Sequence, residues 1–127
     1  MSSAWTSDEL ERLGRATELR LSSRRHDGNL RPFATIWVVR VGDELFVRSA
    51  HGWNNGWFQR ALKSGHGRVR AGGIERDVAF EQPAPDVGGD ITAAYHAKYD
   101  RYGPAIVGTV VSPEAVRSTL RLAPREA

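Results

Sequence analysis

From Ala34 to Val41 the side chains are mostly β-branched or aromatic, and such a run predicts a central strand buried on much of both faces. Gly42-Asp43 supplies a tight hairpin turn. Glu44 to Ser49 then pairs back, with Leu45, Val47 and Ser49 on one face and Phe46 and Arg48 on the other. Before this hairpin, Thr6-Ser7-Asp8-Glu9 has the form of a capping box, with Trp5 placed as a hydrophobic staple. Leu10, Leu13 and Ala16 continue it as a short helix. Glu18 to Ser23 alternates with period two and predicts a first strand, closed by the turn His26-Asp27-Gly28-Asn29. Arg31-Pro32 follows, where proline favours an extended preceding residue.

After the hairpin, His51 to Gly56 is a loop rich in Gly and Asn. Asn55 or Gly56 opens a helix with Trp57, Phe58, Ala61 and Leu62 as its apolar stripe, stopped at Gly65-His66-Gly67. Arg68 to Arg70 and Ile74 to Phe80 predict two strands joined through Ala71-Gly72-Gly73. Pro83 to Gly89 reads as a polar linker. Asp90 caps a helix carrying Ile91, Ala94, Tyr95, Lys98, Tyr99 and Tyr102. Ile106 to Val111 is a short strand or a buried helical turn, Pro113-Glu114 opens a small helix or turn, and Thr119 to Ala123 is a last strand. Five or six mainly antiparallel strands with helices at the ends and one in the middle imply an α+β, mainly β domain. Its sheet is a small closed or partly closed antiparallel barrel with flanking helices, over residues 1–127 as a single domain.

Composition narrows the chemistry. Without cysteine there is no disulfide or thiolate metal site. The charged N-terminal stretch lacks the apolar core of a secretion signal, and no run is long enough to span a membrane, so a cytoplasmic location is expected. His51, His66 and His96 lack metal-ligand spacing, and no metal is expected. The net charge is +3, but residues 48–76 hold Arg48, Arg60, Lys63, Arg68, Arg70 and Arg76 against the single acid Glu75. A nucleic-acid binder would carry a longer basic stripe and more charge, so nucleic acid is disfavoured and a small anionic ligand preferred.

The densest chemistry runs from Ser49 to Arg60. A Gly-Asn loop entering a helix N-terminus between Arg48 and Arg60 is suited to an anion such as phosphate, or is simply a connection. Trp37, Trp53 and Trp57 are flat enough to stack on a heterocycle or to fill a core. Trp37, central in its strand, is assigned to the core, and Trp53, in the loop, to a ligand wall. Ser49 and His51 lack the G-x-S-x-G setting of a nucleophile, and no G-x-G-x-x-G fingerprint occurs.

The order Arg31-Pro32, hydrophobic strand, glycine turn, strand ending in Ser49, His51-Gly52 loop, Trp57 helix and Arg68-Val69-Arg70 strand resembles the flavin- and deazaflavin-binding split β-barrels. These include the pyridoxamine-phosphate-oxidase-like proteins and the nitroreductase-type deazaflavin-dependent proteins, and the likeness covers residues 25–80. WVVRVGDELFVRS, RVRAGG, KYDRYG and the TLRL-P ending also resemble a group of short bacterial proteins of unknown function. The barrel likeness implies FMN, FAD or a deazaflavin coenzyme. Its phosphate would be held by Arg31, Arg48, Ser49, His51 and Gly52, with Trp57 and Arg60 from the helix; Trp53 joins them as a ligand wall. It implies hydride transfer to a small organic substrate, and a homodimer with the cleft between subunits. Two departures are His26-Asp27-Gly28, where the deazaflavin group has Lys-Ser-Gly or Arg-Ser-Gly, and Arg60, where it often has Asn. They keep open a non-enzymatic barrel that binds an anionic small molecule.

Overall fold

The computed structural model describes residues 4–50 and 52–125. Helix α1 (Ser7–Arg15) precedes strands β1 (Leu19–Ser23), β2 (Ala34–Ile36), β3 (Val38–Val41) and β4 (Glu44–Arg48). Helix α2 (Gly56–Ser64) leads into β5 (His66–Ala71) and β6 (Ile74–Glu81). Helices α3 (Gly88–Tyr99), α4 (Pro104–Val111) and α5 (Pro113–Arg117) then return the chain to β7 (Thr119–Pro124). All strand pairs are antiparallel, in the order β2-β1-β5-β6-β7-β4-β3.

The two end strands of that order are one stretch of chain. β2 pairs with β1 (Leu19 opposite Ile36) and β3 pairs with β4 (Val38 opposite Val47), with Trp37 alone between them. The expected single strand from Ala34 to Val41 is therefore bent at Trp37. A sheet of this size cannot close unless a strand changes partners at a corner. The result is a nearly closed seven-stranded barrel. The exposed edges that invite pairing with other chains are largely removed.

Alternation along β4 separates two apolar layers. Leu45 and Val47 point into the barrel with Leu19, Leu21, Val38, Val69, Val78, Leu120 and Leu122, capped by Phe58 and Ala61 of α2 and by Leu10 and Leu13 of α1. Phe46, with Val39, points outward under Ile91, Tyr95 and Tyr99 of α3 and Val107 and Val110 of α4. Each fully buried side chain of this size stabilises the fold by roughly 1.5–3 kcal/mol relative to exposure.

The capping box forms: Thr6 Oγ1 accepts from the Glu9 N–H at 3.1 Å and Glu9 Oε1 accepts from the Thr6 N–H at 2.9 Å. Trp5 is buried with Leu10 in the barrel core, and its Nε1–H donates to the Leu122 carbonyl at 3.0 Å. Helix α2 begins after Asn55 as expected and stops at Gly65, whose φ of 80° is the left-handed conformation glycine tolerates. Elsewhere the structure corrects the pattern. Ile106 to Val111 belongs to α4, not to a strand. α3 starts at Gly88, so Asp90 lies in its first turn rather than at its cap. The expected linker contains a 3-10 turn over Pro85–Val87 that feeds directly into α3.

Candidate functional site

Helix α2 lies against β1, and its flank carries Trp57, Arg60 and Ser64 at helical spacing. A cavity opens at each end of that flank.

Beside Arg60 and Ser64 is a cleft of about 380 Å³ lined by Arg24, Arg25, His26, Gly28, Arg31, Arg60, Lys63, Ser64 and His66. The turn after β1 builds one wall: the Arg25 N–H donates to the Asn29 carbonyl at 2.8 Å, and Gly28 takes a φ of 89°. Asp27 accepts the Asn29 N–H at 3.0 Å, a bond that holds its carboxyl below the ordinary range. Ser64 Oγ donates to the Arg24 carbonyl at 2.6 Å and closes the floor. The Ser22 hydroxyl donates to the Arg31 carbonyl and fixes Arg31 at the edge. Arg24 is paired with Asp77 at 3.3 Å, but Arg25, Arg31, Arg60 and Lys63 make no ion pair among the described residues. Four uncompensated cations around one concavity set up a field that attracts anions.

Beside Trp57 is a chamber of about 290 Å³ lined by Glu18, Thr35, Ile36, Trp37, Arg48, Ala50, Asn55, Trp57, Ile106, Thr109 and Val110. Trp37 is not a barrel-core residue. The corner between β2 and β3 turns it onto the outer layer, where it stacks on Tyr99 with centroids 3.9 Å apart and planes 4° from parallel. Tyr99 is anchored in turn, its hydroxyl donating to the Thr17 carbonyl at 2.7 Å. Burial pushes the phenols of Tyr95 and Tyr99 well above their ordinary pKa.

Arg48 is 2 % exposed and forms part of the chamber wall. Its Nε donates to Thr119 Oγ1 (3.0 Å), Nη1 to Thr92 Oγ1 (2.8 Å) and the Val110 carbonyl (3.0 Å), and Nη2 to the Gly88 carbonyl (3.0 Å). The guanidinium also lies 5.5 Å from the Tyr95 ring centroid. All these partners are neutral. Burial lowers its pKa, although an arginine remains protonated.

The residues singled out from sequence thus divide. Arg31 and Arg60 meet in the basic cleft, while Arg48 and Trp57 meet in the aromatic chamber. Ser49 is fully buried, and its Oγ is the buried side-chain atom without a hydrogen-bond partner among the described residues. Gly52 is buried with a φ of 77°, its N–H donating to the Ser49 carbonyl at 3.1 Å. Trp53 is 43 % exposed, packs edge-on to Phe58 at 5.1 Å, and lines neither cavity. His51 lies outside the described residues. Sequence reasoning counted Lys63 in the basic excess and Asn55 in the Gly-Asn loop without giving either a place in a site, and missed Arg24 and Arg25 in the cleft and Thr35 and Thr109 in the chamber. The doublet Arg24-Arg25 before the turn was the available signal.

Arg60 lines the cleft and not the chamber. A Cβ at Gly56 would lie 2.9 Å from its Nη1, so the guanidinium folds back beside the first turn of α2. Asn55 makes no side-chain cap there, which leaves that turn's N–H groups to other acceptors.

Solved structures share this fold. One is an F420 reductase, with a TM-score of 0.62 at 17 % identity over 92 % of this chain and 93 % of that one. Another is the FAD- and heme-binding protein of Mycobacterium smegmatis, with a TM-score of 0.51 at 18 % identity over 93 % of this chain and 65 % of that one. A third, assigned to 5-nitroimidazole antibiotic resistance in Bacteroides thetaiotaomicron, gives 0.55 at 12 % identity over 99 % and 84 %. At these identities the likeness establishes the split-barrel fold. No curated protein matches the sequence. Residues 9–122 match the family model described as "Uncharacterized protein conserved in bacteria (DUF2255)", and the chain belongs to that family.

Proposed function

We propose that the protein binds a flavin-type cofactor (FMN, FAD or a deazaflavin coenzyme) along the flank of α2 and transfers hydride to a small organic substrate. The observation that carries this reading is the placement of Trp57 and Arg60 one helical turn apart, each opening onto a cavity of opposite character. A ligand with a flat end and an anionic tail matches that pair. The tail would be held by Arg25, Arg31, Arg60 and Lys63, which have no carboxylate partner among the described residues. The ring would lie against Trp57 and Trp37, with Asn55 and Thr35 offering hydrogen bonds to its polar edge. Bound there, the ring supplies a reversible hydride donor, and the chain supplies orientation and exclusion of water. The fold shared with F420- and FAD-associated proteins supports the same reading.

A second reading, a barrel that binds an anionic small molecule without turnover, is favoured by one feature. Among the described residues, exposed Glu18 is the one carboxylate that lines the chamber, so few of them can move a proton there.

An absorbance spectrum of the purified protein separates the two. The protein is mixed with FMN, FAD and a deazaflavin coenzyme in turn, and free cofactor is removed. Retained colour that is lost in the Arg60→Ala/Lys63→Ala double variant supports the cofactor reading. A colourless protein that is still stabilised thermally by pyrophosphate favours the second.

A further inference from the structure

Arg48 stands apart from every other cation of this molecule that bears on a cavity. The arginines of the basic cleft reach water, whereas Arg48 is 2 % exposed. Its four hydrogen bonds go to two hydroxyls and two carbonyls, and no carboxylate pairs with it among the described residues. A guanidinium has five N–H donors, so one is left over. A buried charge matched only by neutral dipoles is under-compensated, and it gains most from an anion that arrives already stripped of water. Among the described residues, Arg48 borders a chamber with room for such an anion, walled by Trp37, Trp57, Ile36, Ile106 and Val110.

We propose that Arg48 is a specificity-determining residue and that the chamber's second ligand, the substrate, is a small flat organic anion, an arene carboxylate or its isostere. The carboxylate takes the unused guanidinium N–H at the inner wall, and the ring lies between the aromatic and aliphatic walls. This rests on the chamber being the reaction end of the cofactor site. It goes beyond that reading in assigning charge to the substrate and a role to Arg48 that the cofactor phosphate does not need. Four existing hydrogen bonds hold the guanidinium in place, so binding requires little ordering of the side chain. Burial lowers the Arg48 pKa, as expected for a cation without a counter-charge.

The test uses the full chain without cofactor, so it is separate from the spectrum described above. Benzoate and benzamide, equal in shape and different in charge, are titrated against tryptophan fluorescence. The Arg48 Nε–H resonance is followed by NMR, with the basic cleft saturated by pyrophosphate. Benzoate is expected to bind about tenfold or more tightly than benzamide, in line with a charge-assisted hydrogen bond, and to shift the Arg48 signal. That preference is expected to vanish in Arg48→Met. Should Arg48→Met fail to fold, Thr109→Phe narrows the chamber while leaving Arg48 and the four residues it bonds unchanged, and is expected to abolish benzoate binding. Equal affinities overturn the proposal, as does binding of neither compound. So does a benzoate preference that survives Arg48→Met or Thr109→Phe, or one that disappears once pyrophosphate fills the cleft. Flavin retention without benzoate selectivity refutes this inference and leaves the cofactor reading intact; benzoate selectivity without flavin retention removes the cofactor reading and, with it, the assignment of the anion as a substrate.

Discussion

The basic cleft and the aromatic chamber lie at the two ends of one helix flank, and they hold arginine in opposite ways. In the cleft, Arg60 is exposed and free of ion pairs among the described residues, with its side chain folded back over Gly56. In the chamber wall, Arg48 is sealed from solvent and tied to α3, α4 and β7 by four hydrogen bonds. An exposed cation contributes little to folding and leaves its charge available to a ligand. A buried one is part of the architecture, because its four hydrogen bonds join elements that pack around it. The same residue type therefore reports on binding in one place and on stability in the other. Both arginines stand out equally in the sequence.

The largest expected effect breaks this symmetry directly. Arg48→Met should destabilise the fold by about 2–4 kcal/mol, because the buried Thr119 and Val110 acceptors and the half-buried Thr92 and Gly88 acceptors lose the guanidinium. Arg60→Ala should change stability by no more than about 0.5 kcal/mol. Urea denaturation of both variants checks this, and equal losses would erase the distinction. The order should invert for anions. Arg60→Ala/Lys63→Ala is expected to weaken pyrophosphate binding by about 10–100-fold, given roughly 1.5–3 kcal/mol for a hydrogen bond to a charged group. A calorimetric titration with no change would remove the cleft as an anion site.

The second expected effect concerns the layer behind the chamber. Lys98 donates to the Ala16 and Val38 carbonyls at 2.6 Å each, and burial lowers its pKa to about 8. The unfolded chain, with Lys98 near its ordinary 10.5, binds more protons than the folded one between those values. Stability should therefore rise with pH from about 8. Tyr95 and Tyr99 act with the opposite sign. Their phenols are raised by burial, so above their ordinary value of 10.0 the unfolded state releases protons that the folded state keeps, and stability falls. Urea midpoints from pH 7 to 11 should show a maximum near pH 10. Lys98→Met should flatten the rising limb and keep the falling one.

Much of the barrel was legible because its cues are local. A hydroxyl with Glu three residues later caps α1, Gly42-Asp43 turns the hairpin, and Asn55-Gly56 starts α2. The bend at Trp37 was not legible. The run from Thr35 to Val39 is β-branched or aromatic throughout, with no Gly or Pro to mark a bend, and the corner is imposed by closure of the whole sheet. The cleft was half legible for a similar reason. Counting charge from 48 to 76 makes Arg68, Arg70 and Arg76 look free. The fold gives Arg68 to Asp77 at 2.9 Å, Arg76 to Glu9 at 2.7 Å, and Arg70 to Glu75. Asp77 lies just outside that window and Glu9 far from it. Arg25 and Arg31, also outside the window, are brought in by the turn after β1. Charge excess along a chain becomes a binding feature only after folding has used up the pairs it can make.

The smallest effect separates the position of Arg60 from its charge. A methyl group at Gly56 would sit 2.9 Å from Arg60 Nη1, closer than side-chain contacts tolerate, and the flexible guanidinium is the group able to move. Gly56 is the first residue of α2 and has no positive φ, so alanine is compatible with its backbone. Alanine should stabilise the helix by up to about 1 kcal/mol relative to glycine. Gly56→Ala is thus expected to raise the urea midpoint slightly while weakening pyrophosphate binding two- to fivefold, with the net charge unchanged. If affinity stays constant, Arg60 acts in the cleft as a general charge, and its folding back along α2 has no bearing on the ligand. If affinity falls while stability rises, the glycine is there to let that guanidinium fold back beside the first turn of α2, in the position from which it serves the cleft.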